Sequence, residues 1–174
     1  MTRRERLCAT LRGEPVDRPA FNFYEINGLE STSSGDPFNI YSDPSWKPMV
    51  DLIHRHGGYA RVHSHGRLKD ILDFICATGC DGLDPIEPPD QGDVDLAYVR
   101  EHYGRQLVLF GNLEASDLEN LPTQEFEKKV RQALKEGPGG RGFVLMPSAC
   151  PYGRKLSLLA LANYETMVRC VEGC

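Results

Sequence analysis

The sequence predicts an α/β protein in which short apolar strands alternate with amphipathic helices. Strand candidates lie at residues 59–63, 82–86, 107–111 and 143–147. Each is followed by a segment whose apolar residues recur at helical spacing. This alternation is typical of successive βα units on a parallel sheet.

The chain opens with a predicted helix. Thr2 and Glu5 have the spacing of a capping box, and Leu7 and Leu11 fall on one helical stripe. An apolar run at residues 20–26 then predicts a first strand. The polar stretch that follows it is rich in Gly, Ser and Pro, which predicts a loop up to the next helix.

The later helices begin and end at recognisable signals. They are predicted at about residues 46–56, 67–77, 94–103, 123–136 and 158–171. Gly57-Gly58 ends the first of these and Gly104 ends the third, as glycine often does at a helix C-terminus. A turn is predicted between the third strand candidate and the helix at 123–136.

Polar residues follow each strand candidate, and these favour a barrel over an open sheet. They are His63, Ser64 and His65; Asp84 and Glu87; Asn112 and Glu114; and Ser148 and Cys150. A (β/α)8 barrel gathers such residues at its C-terminal face. No glycine motif of a dinucleotide or phosphate site is present. We therefore predict a partial (β/α)8 barrel with about four to five parallel strands and flanking helices.

Net charge and the distribution of apolar residues limit the functional classes to which the protein can belong. The net charge of −5 and the isoelectric point near 5.5 argue against nucleic acid as a partner. No apolar run approaches the roughly 20 residues that cross a bilayer, and no export signal follows the basic start. We expect a cytoplasmic protein whose six cysteines are reduced and whose ligand is a small molecule.

The sharpest local pattern is His63-x-His65, because residues two apart in a strand point to the same side. Cys150 follows another strand and is expected on the same rim. Two imidazoles and a thiolate suit Zn²⁺ and leave one tetrahedral position open. Asp84 or Glu87 is expected to orient a histidine. Alternatively, the histidines bind a phosphate or carboxylate, or cap a helix, and Cys150 is an inert thiol.

Two further residues are candidates for contact with substrate. Glu87 is a general base if it is buried, or else part of a stiff loop with Pro88 and Pro89. Asn112 either donates to a substrate carboxylate or ties neighbouring loops together. His54 and His102 lie at predicted helix ends, and we interpret both as structural.

Three stretches of the chain resemble the uroporphyrinogen decarboxylase superfamily. They are RRERLCATLRGEPVDRP near the start, HSHGRLKDILDFICATGCDGLDPIEPP, and LVLFGNLEASDLENLPTQEFEKKVRQALKEG with GFVLMPSACPYG. GNLE resembles the GNLD turn of the decarboxylases. HSHG is similar to the H-x-C-G zinc motif of the methylcobamide:coenzyme M methyltransferases, with His65 where that branch usually has cysteine. Cys150 lies where the branch has its later zinc-ligand cysteine.

The resemblance implies a zinc-dependent methyltransferase-like enzyme. It would activate a thiol or a similar small acceptor for methyl transfer from a corrinoid. A partner protein would carry the corrinoid, because the chain lacks the D-x-H-x-x-G cobalamin signature. Two alternatives are uroporphyrinogen decarboxylation, in porphyrin biosynthesis, and a non-catalytic remnant or interaction module. The decarboxylases' R-Q-A-G-R stretch is absent, and no arginine follows Arg18 in the region 19–31.

The resemblance also predicts one truncated domain spanning residues 1–174. Residues 1–45 form its N-terminal helix and loop region, and residues 46–174 form βα units of the C-terminal barrel half. Segments near the beginning and well past the middle of the family are joined directly by Trp46–His56, and we interpret this as an internal deletion, a mis-assembled gene model or a natural remnant. A partial barrel exposes two sheet edges, so self-association is expected, with a homodimer as one form.

Overall fold

The computed structural model of the chain describes residues 1–21, 46–153 and 155–174. These form one parallel sheet of five strands with helices packed against it. The strands are β1 (Ala20–Phe21), β2 (Arg61–His63), β3 (Gly82–Ile86), β4 (Val108–Leu113) and β5 (Phe143–Pro147). The helices are α1 (Arg3–Leu11), α2 (Trp46–Arg55), α3 (Leu72–Ala77, after a 3₁₀ turn at Lys69–Ile71), α4 (Leu96–Tyr103), α5 (Ala115–Asn120), α6 (Thr123–Glu136) and α7 (Leu158–Glu172).

The predicted α/β class is confirmed, and the differences are local. The turn predicted before residue 123 was wrong, because that segment forms the short helix α5, in which Ala115 and Leu118 are buried. Strand β2 covers only the last three residues of the predicted segment 59–63. The predicted strand residues 22–26, and the loop after them, lie outside the described residues.

The strand order β1-β5-β4-β3-β2 agrees with a segment of a barrel. From β2 to β5 every crossover moves one strand in the same direction, whereas a doubly wound sheet reverses direction. The first strand pairs with the last, with Ala20 beside Val144. That pairing is the one that closes a barrel. Within the described residues, β1 and β2 are the sheet edges, so the predicted self-association through them stays a prediction.

The helices bury one face of the sheet in a large apolar core, whose fully buried side chains include Leu83, Leu109 and Leu145. The opposite face holds a smaller cluster of residues that alternate with these. Its members are Ala20, Val108, Phe110, Val144 and Met146. Two apolar layers on one set of strands are expected of a barrel wall, whose residues alternate between interior and exterior.

Helix α1 packs against the smaller cluster through Leu7 and Leu11. Its predicted capping box is confirmed, since the Thr2 hydroxyl accepts from the Glu5 amide at 3.2 Å and the Glu5 carboxylate accepts from the Thr2 amide at 2.8 Å. The cap therefore fixes where the helix begins, and its apolar stripe covers the barrel-side face. None of the helices in the described residues is long and apolar enough to cross a membrane.

Candidate active site

Two histidine rings meet at the C-terminal end of β2. His63 is the last residue of this edge strand, and His65 follows two residues later on the same side. Their Nε2 atoms lie 3.1 Å apart, and the ring planes are nearly perpendicular at 84°. Both side chains are about half exposed. The ends of the two imidazoles thus converge on one point that solvent reaches.

A buried carboxylate holds the far side of each ring. Asp84 Oδ2 lies 2.9 Å from His63 Nδ1, and Glu87 Oε1 lies 2.8 Å from His65 Nδ1. Glu87 Oε2 also accepts from the Gly66 amide at 2.6 Å. Asp84 is fully buried and Glu87 is 5% exposed. The expectation that Asp84 or Glu87 orients a histidine is confirmed, and both of them do so.

The parallel register brings these groups together. In the pairing of β2 with β3, His63 lies beside Asp84, and the next residues after each strand end contribute His65 and Glu87. The sequence left open whether Glu87 is buried, and the structure shows that it is. Its oxygens contact His65 Nδ1 and the Gly66 amide, so Glu87 is placed to position His65, and its predicted role as a general base stays a prediction.

The hydrogen bonds determine the tautomer of each ring. An ionised carboxylate only accepts, so Nδ1 of each histidine must donate. In a neutral imidazole the other nitrogen then carries a lone pair. The two Nε2 atoms lie within hydrogen-bond distance at 3.1 Å, so the pair can share one proton or hold a metal cation between the rings.

Arg61 places a guanidinium on the same face of the sheet as the histidine pair. It lies two residues before His63, and one guanidinium nitrogen is 3.3 Å from Asp84 Oδ2. The guanidinium also lies over the Phe110 ring, 5.0 Å from its centroid. Gly82 leaves room for that ring, since a Cβ there would meet it at 2.7 Å. Asp84 is thus shared between an arginine and a histidine.

The third predicted zinc ligand is not brought into this cluster. Cys150 is exposed and lies three residues beyond the end of β5. Within residues 1–21, 46–153 and 155–174, no three His, Cys, Asp or Glu side chains form a group that could hold a metal ion. Zinc coordination by His63, His65 and Cys150 therefore stays a prediction.

Asn112 and Glu114 mark the C-terminal end of β4. Both line a cavity of about 310 Å³ whose wall includes Pro88, Asp117 and Lys129. Asn112 is partly exposed and lies beside Met146 of β5 in the sheet register. This position is compatible with contact to a small ligand, and the predicted role of Asn112 stays a prediction.

Glu114 is a buried acid of this rim. It is 7% exposed, its Oε2 accepts from the Ser148 hydroxyl at 3.2 Å, and its Oε1 is buried with no hydrogen-bond partner in the described part of the chain. Burial raises the pKa of Glu114 to about 7, and the negative charge of Glu87 adds to the shift. Near neutral pH this carboxyl is therefore present both with and without its proton.

The opposite end of the sheet carries a different cluster. Asp81 immediately precedes β3, and its carboxylate accepts from His54 Nε2 at 2.7 Å, the Ala60 amide at 2.8 Å and the Arg141 guanidinium. A larger cavity of about 550 Å³ also lies at this end, before β5. Neither this cavity nor the one beside Asn112 contains a site histidine, and size alone does not make the larger one the active site. The interpretation of His54 as structural agrees with these contacts.

Sequence patterns alone did not single out two residues of the site. Arg61 lies two positions before His63 in the same strand, so the two side chains lie on one side of the sheet. This alternation was the sequence signal that could have identified Arg61. Glu114 ends the GNLE turn, directly after an apolar strand. What distinguishes it is its burial against Ser148, which depends on the pairing of β4 with β5.

Comparisons with known proteins agree with this arrangement of strands and rim residues. A family model described as uroporphyrinogen decarboxylase (URO-D) matches residues 30–172, which is most of the chain. No curated protein matches the chain. The match extends over β2 to β5 and the polar rim beyond them. On this evidence the chain belongs to the uroporphyrinogen decarboxylase (URO-D) family.

Proposed function

We propose that this chain is a zinc-dependent, methyltransferase-like member of its family that activates a thiol or a similar small acceptor. The observation that carries the proposal is the histidine pair, whose Nε2 atoms lie 3.1 Å apart while each Nδ1 contacts a carboxylate. The methyl group would come from a corrinoid that a partner protein carries.

The donor set of the pair fits zinc. Zinc–nitrogen distances of about 2.0–2.1 Å and a tetrahedral angle place two ligand nitrogens roughly 3.3 Å apart. The separation of 3.1 Å between the Nε2 atoms is close to that value. Histidine ligands of metals commonly donate their other N–H to a carboxylate, as His63 does to Asp84 and His65 to Glu87. The third protein ligand in the proposal is Cys150.

Bound zinc would supply Lewis acidity that lowers the pKa of a thiol and keeps it as the nucleophilic thiolate. The residues of the chain orient this chemistry. Asp84 and Glu87 fix the tautomer and the direction of the two rings, and their negative charges make the ring nitrogens better donors of electron density. Asn112 and Glu114 lie at the next strand end, where an acceptor can contact them.

Zinc content per chain tests the proposal. We expect about one zinc per chain in the wild-type protein by elemental analysis, and a loss of most of it in the double variant His63→Ala/His65→Ala. His102→Ala is the matched control, because His102 lies on α4 and stacks on Tyr98, outside the site. Cys150→Ser is expected to weaken zinc binding if the thiol is a ligand.

Methyl transfer from a methylated corrinoid to a small thiol is then measured on the zinc-loaded protein. Equal zinc in the wild type and the double variant would remove the histidine pair from the site. A folded protein without zinc would instead favour metal-free decarboxylation, which is checked by coproporphyrinogen formation. A broad melt with polydisperse aggregates would favour the non-catalytic remnant.

A further inference from the structure

The cavity at the end of the sheet opposite to the histidine pair takes no part in the proposed methyl transfer. Its volume is about 550 Å³, which is in the usual range for cavities that hold a small organic molecule. Residues 13–19, between α1 and β1, form one wall, and residues 138–142, the glycine-rich turn between α6 and β5, form the other. We call this space the Arg18 cavity.

Arg18 is a cation of the lining that the described residues leave without an acceptor. It is partly buried, and its Nε is buried with no hydrogen-bond partner in the described part of the chain. No carboxylate there forms an ion pair with its guanidinium. A buried N–H of a charged group is costly when it has no acceptor, so the site favours a ligand that supplies one.

The other charged side chains of the lining are each engaged in an ion pair within the protein. These pairs are Asp17 with Arg6 at 2.6 Å, Glu14 with Arg12 at 2.7 Å, and Arg141 with Asp81. Pairing weakens the repulsion that the two acids would exert on a second anion. The side-chain charge of the lining that stays unbalanced within the described residues is therefore the positive charge of Arg18.

Apolar side chains provide much of the remaining lining. Pro15, Val16 and Pro19 belong to the first wall, Leu134 comes from α6, and Phe143 is the first residue of β5. Ligand sites in proteins commonly combine such a lining with a few polar groups that fix the orientation of the ligand. The cavity thus suits a molecule with one anionic group and an apolar body.

The two walls are held together where they meet. A Cβ added at Gly142 would lie 2.7 Å from the Thr10 methyl carbon, and the φ of Gly142, 150°, is one that other residues rarely adopt. The Arg141 amide donates to the Gly104 carbonyl at 2.7 Å, which ties the glycine-rich turn to the end of α4. Since the walls are positioned in advance, a ligand has less of the protein to order when it binds.

We propose that the Arg18 cavity binds a small organic acid, with its carboxylate on the Arg18 guanidinium and its apolar body between the two walls. The planar guanidinium matches the geometry of a carboxylate. One unbalanced positive charge also matches a carboxylate better than a phosphate monoester, which carries about −1.5 to −2 at neutral pH. Neither zinc nor the histidine pair is needed for this binding, so failure of the proposed function would leave the proposal standing.

Binding of 2-naphthoate to the full chain tests the proposal by isothermal titration calorimetry. The variant Arg18→Gln should bind it about 10- to 100-fold more weakly, because hydrogen bonds to charged groups are the strong ones. Arg131→Gln is the matched control and should bind as the wild type does, since Arg131 is an exposed arginine of α6 outside the lining. The neutral 2-naphthamide should bind weakly and should not distinguish the wild type from Arg18→Gln.

Nuclear magnetic resonance of the wild type locates the ligand without any substitution. Addition of 2-naphthoate should shift the amide signals of residues 16–18 and 139–142 and leave those of His63 and His65 in place. No binding of 2-naphthoate, equal affinity of the wild type and a folded Arg18→Gln, or shifts at the histidine pair in place of the cavity would each overturn the proposal.

Discussion

The two ends of strand β3 each join a buried aspartate to a histidine, and they differ in how completely the polar groups are satisfied. At the N-terminal end, Asp81 accepts from His54, the Ala60 amide and Arg141. At the C-terminal end, Asp84 and Glu87 hold two rings whose Nε2 atoms face each other, and Glu114 at the end of β4 has one oxygen that no donor of the described residues reaches.

This difference separates a stabilising cluster from a candidate active site. Around Asp81, burial raises the carboxyl's pKa, but the hydrogen bonds from His54, Ala60 and Arg141 outweigh burial and lower it overall. The charge is neutralised within the cluster. At the other end, the Nε2 atoms of His63 and His65 converge on a point that solvent reaches, and Glu114 has a raised pKa. The C-terminal face of a barrel is where such groups carry function.

The largest effect is expected from Asp81→Ala. The change leaves the Ala60 amide and the Arg141 guanidinium without their acceptor, so the free energy of unfolding should fall by about 3 kcal/mol. Urea unfolding measures it, with Asp51→Ala, which breaks an exposed pair with Lys47, as the control. Since the pKa of Asp81 is lowered in the folded protein, its contribution is present at neutral pH and is lost in acid.

Glu114→Gln should have the next largest effect on the free energy of unfolding. At high pH this substitution should stabilise the protein, whereas Asp81→Ala destabilises it. The pKa of Glu114 rises from 4.5 to about 7 on folding, so the wild type loses up to about 3 kcal/mol of stability as pH rises through that range. The variant has no such loss and should be the more stable protein at about pH 8. Urea unfolding at about pH 5 and about pH 8 measures both. A parallel pH dependence in the two proteins would contradict the raised pKa.

Asp84→Asn should weaken zinc binding by about 10- to 100-fold, because the amide no longer fixes the tautomer of His63. Competition with a chromophoric chelator measures the affinity. Asp81→Asn is the control from the other end of β3, and its zinc affinity should equal that of the wild type. Equal losses in the two variants would mean that the two ends do not differ in function.

The smallest effect is expected from His54→Ala. His54 is 37% exposed, and Asp81 keeps its bonds to Ala60 and Arg141, so about 1 kcal/mol of stability should be lost. Zinc content should not change. Thermal melting and elemental analysis measure the two quantities, and a loss of zinc would place His54 in the functional site.

The sequence by itself determined the α/β class, the approximate position of every later strand and the pairing of His63 with His65 on one side. These follow from short-range periodicity, because alternation in strands and helical spacing are properties of neighbouring residues. The capping box at Thr2 is equally local, and the structure has it. The helix α5 was missed because six residues give too few turns for a clear periodic pattern.

Only the tertiary structure decided which charges meet. His63 contacts Asp84, and His65 contacts Glu87, because β2 and β3 pair in one register. The raised pKa of Glu114 depends on burial next to Ser148 and Glu87, which lie on two other strand ends. Desolvation and Coulomb interactions act between groups that are close in space, whatever their separation in sequence. Spacing within one segment could therefore identify the histidines but could not assign a partner to either of them.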